Sequence, residues 1–297
     1  MKLETSGNTP VFHRRKDTGM GCDQAMLQIE TPQRKLATVS KYRAPMPVAS
    51  GKHEKTSHAE IFKPIWRSIL ELENIETRFG SECAMRILHQ WASSSAMVDA
   101  ATPDAKLTRA RILAEVSGLI ASWHVTGDLT GQKEIAGWLS KLANDTMLFF
   151  NTEAGPKSAR NNHRYWAALA LSNVGSLTRD QDKIEWARQS YRIGVCQITQ
   201  DGTLPLEMQR GTLARNYHLY AFRPLAGTFA VFRKIGQPLD DICPGSLDRL
   251  AKTALDGLHD ATLFETATMQ QQTKPPREES YPAHLRLDAL ARQLSQG

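Results

Sequence analysis

Residues 161–199, NNHRYWAALALSNVGSLTRDQDKIEWARQSYRIGVCQIT, carry two consecutive periodic segments, 161–177 and 180–199. Apolar residues recur in each at three- and four-residue intervals, the spacing of one helix face, so the stretch predicts two helices joined by a short turn. Asn161 is a candidate N-cap for the first. The same period extends outward to 82–100, 105–126 and 131–150 on one side, and to 207–235, 246–259 and 283–295 on the other. Short polar breaks such as Thr102-Pro103-Asp104 separate them. Ser57 can cap a further helix through Ile61, Ile65, Ile69, Leu70 and Leu72, with Pro64 in its second turn shifting the expected start. Alternating strand patterns bounded by turn pairs are scarce, so the fold class is all-α. Helices with short connections form antiparallel hairpins, which stack as a bundle, a solenoid or a closed or partly closed toroid. No repeat at a fixed period is present, which counts against a regular solenoid.

The chain has 297 residues, 41% of them hydrophobic, enough for one large core or two smaller ones. No uninterrupted apolar run approaches the roughly 18 residues of a spanning helix, so membrane insertion is not expected. The net charge of +6 favours a polyanionic partner only weakly, because the lysines and arginines are dispersed. No basic-aromatic motif points to nucleic acid. Cys22, Cys83, Cys196 and Cys243 are widely scattered, without the spacing of a zinc site or redox dithiol, and leave the compartment open.

The side chains with chemistry concentrate in two places: Asn161-Asn162-His163-Arg164-Tyr165-Trp166, and the stretch from Arg210 through Tyr217-His218 to Tyr220. Together they offer an amide, an imidazole, a guanidinium and a phenol. Singly, each has an ordinary structural role: Asn-Asn as a helix cap, Trp166 as core, and the tyrosines as partly buried groups with bonded hydroxyls. If 207–235 is one helix, Arg210 and Tyr217 share a stripe but lie roughly 10 Å apart along the axis.

Jointly, the Asn-Asn-His-x-Tyr-Trp string with Arg210 and Tyr217-His218-x-Tyr220 at their spacing resembles the mannuronate-preferring alginate lyases. Ser40-Lys41-Tyr42 resembles that family's lid, and the run from Asp201-Gly202 through Pro205 to Glu207 resembles the stretch before its catalytic arginine. The likeness runs from about residue 40 to residue 270 and implies an incomplete α/α toroid. It also implies a lid-like segment at 40–56, a helical catalytic region at 57–297 and a poorly ordered or incomplete segment at 1–39. Near the C-terminus the chain departs from the family around Tyr281.

The implied reaction is β-elimination on a 4-linked uronate chain, poly(β-D-mannuronate) above all, with no metal or organic cofactor. The C5 proton is barely acidic while the neighbouring carboxylate is ionised, so neutralising that carboxylate is the central task. The resemblance gives this to Asn162, His163 and Arg210, the last suited to a carboxylate by its paired donors. In mannuronate the C5 proton and the O4 leaving group lie on one side, so Tyr217 can serve as both base and acid, with His163 the alternative base. Lys41, Trp166, Tyr220 and His218 complete the expected substrate-binding set, and Lys52 and Lys55 add positive potential. The implied partner is an acidic polysaccharide, alginate, acted on by a monomer. The implied compartment is the periplasm or the exterior, although the first twenty residues contain no apolar stretch. A glucuronan- or hyaluronan-directed lyase and a non-catalytic polysaccharide-binding component are the competing expectations.

Overall fold

Burial is unbroken from Tyr165 to Gly175 along the helix Asn162–Thr178, and from Ile112 to Ile120 along the helix Pro103–Trp123. Helices apolar on every side belong inside a fold. A computed structural model describes residues 20–36, 58–123, 129 and 132–295. Its elements run α1 (Met20–Met26), β1 (Lys35–Leu36), α2 (His58–Phe79), α3 (Ser81–Ser93), β2 (Asp99–Ala100), α4 (Pro103–Trp123), α5 (Lys133–Thr152) and α6 (Asn162–Thr178). They continue with α7 (Gln181–Val195), α8 (Pro205–Met208), α9 (Ala214–Lys234), α10 (Ser246–Asp256), α11 (Thr262–Thr268) and α12 (Leu287–Ser295).

The inner helix α6 packs against α4, α5, α7 and α9. By contrast, α5 and α7 bury one stripe each, Ile135-Trp138-Leu139-Leu142 and Ile184-Ala187-Tyr191-Val195, as outer helices do. Inner α4, α6 and α9 thus alternate along the chain with outer α5, α7 and α10. This two-layered run of hairpins is the expected all-α, incomplete α/α toroid. Among the described residues, the only sheet is the parallel pairing of Lys35 with Asp99 and Leu36 with Ala100.

Two expected helices are cut short. The segment 82–100 stops being helical after Ser93, where three serines interrupt it, and Ser95 and Met97 take left-handed φ values of 54° and 61° before β2. The segment 207–235 breaks at Gly211, whose φ is 58°, leaving α8, a 3₁₀ turn and α9. Pro64 does not displace α2, which runs through it from His58. One lost backbone bond is outweighed there by burial of Phe62, Ile65, Ile69, Leu72 and Ile75. The stretch 20–36, inside the expected poorly ordered N-terminal segment, carries α1 and β1. Two disulfides tie the layers: Cys22–Cys83 joins α1 to α3, and Cys196–Cys243 joins the end of α7 to the segment before α10.

Candidate active site

The site begins at the N-terminus of α6. Asn161 caps it, its side-chain oxygen accepting from the His163 N–H at 3.1 Å. The next exposed donor of the helix end, Asn162 N–H, goes to the Glu207 carboxylate at 2.9 Å. The Asn162 side-chain nitrogen donates to both Glu207 oxygens, at 2.9 and 3.0 Å. Glu207 is fully buried on α8, so its charge is carried by these donors, the positive end of α6 and Arg210 at 3.5 Å. Burial pushes the Glu207 carboxyl up, and Asn162 and Arg210 oppose that push.

The break at Gly211 changes the geometry expected for the second motif. Arg210 and Tyr217 are not separated along one helix axis: the Arg210 Cζ lies 4.5 Å from the centroid of the Tyr217 ring. Arg210 ends the segment led by α8, Tyr217 sits in the first turn of α9, and the 3₁₀ turn folds one back over the other. The guanidinium thus makes a cation–π contact with the phenol ring.

Tyr217 and His163 line one cavity of about 210 Å³, together with Tyr220, Arg111, Trp66 and Tyr281. Asp104, Leu107, Thr108, Asn216 and Pro276 complete its wall. Burial pushes the Tyr220 phenol above its ordinary value despite Arg111, leaving Tyr220 a neutral donor rather than a base. The Tyr217 and Tyr220 ring centroids are 6.1 Å apart, edge to face.

Three expected site residues do not line this cavity. Trp166 is fully buried behind Tyr220, 5.2 Å between centroids, so it supports the cavity wall and does not touch a polymer. His218 is likewise fully buried: its Nε2 accepts from the Leu204 N–H at 2.8 Å, and its Nδ1 lies 2.8 Å from the Ala214 carbonyl. Burial holds its pKa down at about 4, so it is a neutral brace between α8 and α9. Asn162 is also buried, with its amide donors committed to Glu207, and stands behind the cavity rather than in its wall. Lys41, with Ser40, Tyr42, Lys52 and Lys55, lies outside the described residues.

The sequence reading gave no site role to Glu207 or Tyr281 and did not single out Arg111, Trp66 or Asp104. Arg111 and Glu115 form an ion pair of 2.7 Å, four residues apart on the largely buried α4. A charged pair embedded in a buried helix was the legible signal. Tyr281 is brought in by Arg223, which donates to both Glu278 oxygens at 3.1 and 2.5 Å and to the Leu285 carbonyl at 2.6 Å. The same guanidinium stacks 3.8 Å from the Tyr281 ring centroid. Among the described residues, no group of acidic, histidine or cysteine side chains has the arrangement of a metal site.

The described residues thus form an all-helical toroid with a phenol, an imidazole and the Arg111 guanidinium around one cavity, and with Arg210, which does not line it, packed on that phenol. The alginate lyase pattern matches residues 75–264, and the chain belongs to that family. A polysaccharide lyase from Stenotrophomonas maltophilia is 30% identical over 192 residues, covering 63% of this chain and 57% of its own length. An alginate lyase from Pseudomonas aeruginosa PAO1 is 29% identical over 197 residues, covering 64% of this chain and 53% of its own. The chain therefore spans little more than half of these relatives. The crystal structure of alginate lyase A1-III from Sphingomonas species A1 superposes with a TM-score of 0.67 at 18% identity, over 86% of this chain and 76% of that one. A variant of A1-III complexed with a tetrasaccharide gives 0.65 at 17% identity, over 84% and 73% of the two chains.

Proposed function

We propose that this chain is a polysaccharide lyase that cleaves 4-linked uronate chains, poly(β-D-mannuronate) in alginate first among them, by β-elimination. The observation that carries the reading is the packing of Arg210 against Tyr217 at the edge of a cavity that His163 also lines. His163 and Arg210 draw negative charge off the C6 carboxylate, and Asn162 and Glu207 hold both in place from behind. The Tyr217 phenolate takes the C5 proton. The freed electron pair forms the C4–C5 double bond as the C4–O4 bond breaks, and the Tyr217 hydroxyl returns the proton to O4. No water is consumed, and each cut leaves one unsaturated uronate end.

Mannuronate is favoured over its C5 epimer because one phenol serves both steps only when the proton and the leaving oxygen share a side. The two disulfides support a periplasmic or extracellular place of work, since such bonds persist in oxidising compartments. The test is the ultraviolet absorbance of the unsaturated uronate, followed with polymannuronate, polyguluronate, glucuronan and hyaluronan. A rise on polymannuronate that disappears in Tyr217→Phe supports the reading. No rise on any of the four polymers would sink it.

A further inference from the structure

Arg111 is the guanidinium that lines the cavity, and its setting is unlike that of a solvated surface arginine. Its Cζ lies 4.9 Å from the Trp66 ring centroid, 5.4 Å from that of Trp166, and 5.2 Å from those of Tyr220 and Tyr281. Its Nε donates to Glu115 at 2.7 Å, and the Glu115 side chain is 2% exposed while that of Arg111 is 17% exposed. Rings and carboxylate together hold the guanidinium in place. Resting on the proposed lyase activity, we propose that Arg111 is a specificity-determining residue that binds the carboxylate of a second uronate, adjacent to the one that reacts.

A guanidinium has five donors; the Nε–H goes to Glu115, and the terminal nitrogens carry the other four, the fork that pairs with a planar carboxylate. Position comes next: Tyr220 stands between the two groups, 6.1 Å from the Tyr217 ring and 5.2 Å from Arg111. Arg111 is therefore displaced from the reacting phenol along the cavity wall, as a neighbouring sugar's carboxylate is displaced from the scissile one.

Arg111 thus makes charge on successive sugars a requirement for binding, beyond the single carboxylate that the chemistry needs. The test uses Arg111→Gln paired with Glu115→Gln, which leaves no lone buried charge, and Arg111→Lys, which keeps the charge but not the fork. Circular dichroism checks that both fold. On polymannuronate, the double variant is expected to raise KM at least tenfold with most of kcat retained, with Arg111→Lys between it and the wild type. A polymannuronate with about half its carboxyls reduced to alcohols should raise KM for the wild type but not for the double variant. Titrating a mannuronate tetrasaccharide into Tyr217→Phe, with and without the double change, reads binding independently of turnover. Unchanged tetrasaccharide affinity, or equal discrimination against the reduced polymer by all proteins, overturns the role of Arg111. Tetrasaccharide binding that depends on Arg111, without cleavage by the wild type, would count against the lyase reading alone.

Discussion

The Arg210 guanidinium and the Tyr217 ring are two helical turns apart in sequence and 4.5 Å apart in space. The contact exists because the helix between them is broken at Gly211, and it brings a fixed positive charge to a phenol of the cavity that His163 also lines. Removing the Tyr217 oxygen while keeping its ring leaves that packing intact. Tyr217→Phe is therefore expected to lose about 10²- to 10⁴-fold in kcat, the usual range for a positioned acid–base group. Tetrasaccharide affinity should stay within a few-fold, and a kcat within tenfold of the wild type would remove Tyr217 from the mechanism.

Gly211 has a φ of 58°, and a Cβ there would meet the Gln270 Oε1 at 2.6 Å. The Gln270 side chain can swing aside, so the main cost of Gly211→Ala is the left-handed backbone, about 1 kcal/mol. The midpoint of thermal unfolding is expected to fall by ~1–2 °C. Activity should fall further than stability does, because the same backbone aims Arg210. A variant with lowered Tm and unchanged kcat/KM would separate the turn from the site.

Glu207 gathers the Asn162 backbone N–H, the Asn162 amide and Arg210 on one buried carboxylate. Glu207→Gln puts an amide nitrogen where two acceptors were needed, so at least one buried donor loses its partner at a cost of about 1–3 kcal/mol. The measurement is urea unfolding alongside steady-state kinetics. Loss of stability together with a kcat drop of tenfold or more is expected, and wild-type kcat would show that the α6 terminus needs no such anchor.

His218 and His284 each have a pKa lowered to about 4 by burial. His284 is partly exposed as a residue, but both its ring nitrogens are buried without partners. In the unfolded chain both titrate near about 6.5, so between the two values the unfolded state binds more protons. Their contribution is complete above about pH 6.5, falls as pH drops toward 4, and changes no further below that. The slope in this window is about 1.4 kcal/mol per pH unit for each group. Urea midpoints from pH 7.5 to 4.5 check the sign, and His284→Leu is expected to take one group's share out of the slope.

The Cys196–Cys243 bond closes a loop 47 residues long. By chain entropy such a link is worth about 4 kcal/mol. Cys196→Ala with Cys243→Ala, or strong reductant, is expected to lower Tm by many degrees. A Tm indifferent to reductant would remove the support these bonds lend to an oxidising compartment.

Most of the architecture was legible because inner and outer helices leave periodic traces: the unbroken burial of α6 and the stripe of α5 are both visible as patterns of residue type. Boundaries were lost where a single backbone angle decides, at Gly211 and at Ser95 and Met97, since a left-handed residue does not disturb the apolar spacing around it. In the site, the motifs located His163, Tyr217 and Tyr220 at the cavity. They misplaced His218 and Trp166, because adjacency in sequence says nothing about which side of a helix faces solvent. Arg111 and Tyr281 come from other elements altogether, and only the fold brings them to the same wall.

Arg223 holds the stretch from Glu278 to Leu285 against α9, and that stretch supplies Tyr281 to the cavity. On the ribosome, α4, α6 and α9 are all synthesised before this stretch. A nascent chain thus carries His163, Arg210 and Tyr217 for some time with one side of the cleft missing. The wall closes only when the stretch from Glu278 to Leu285 reaches a buried arginine already in place on α9.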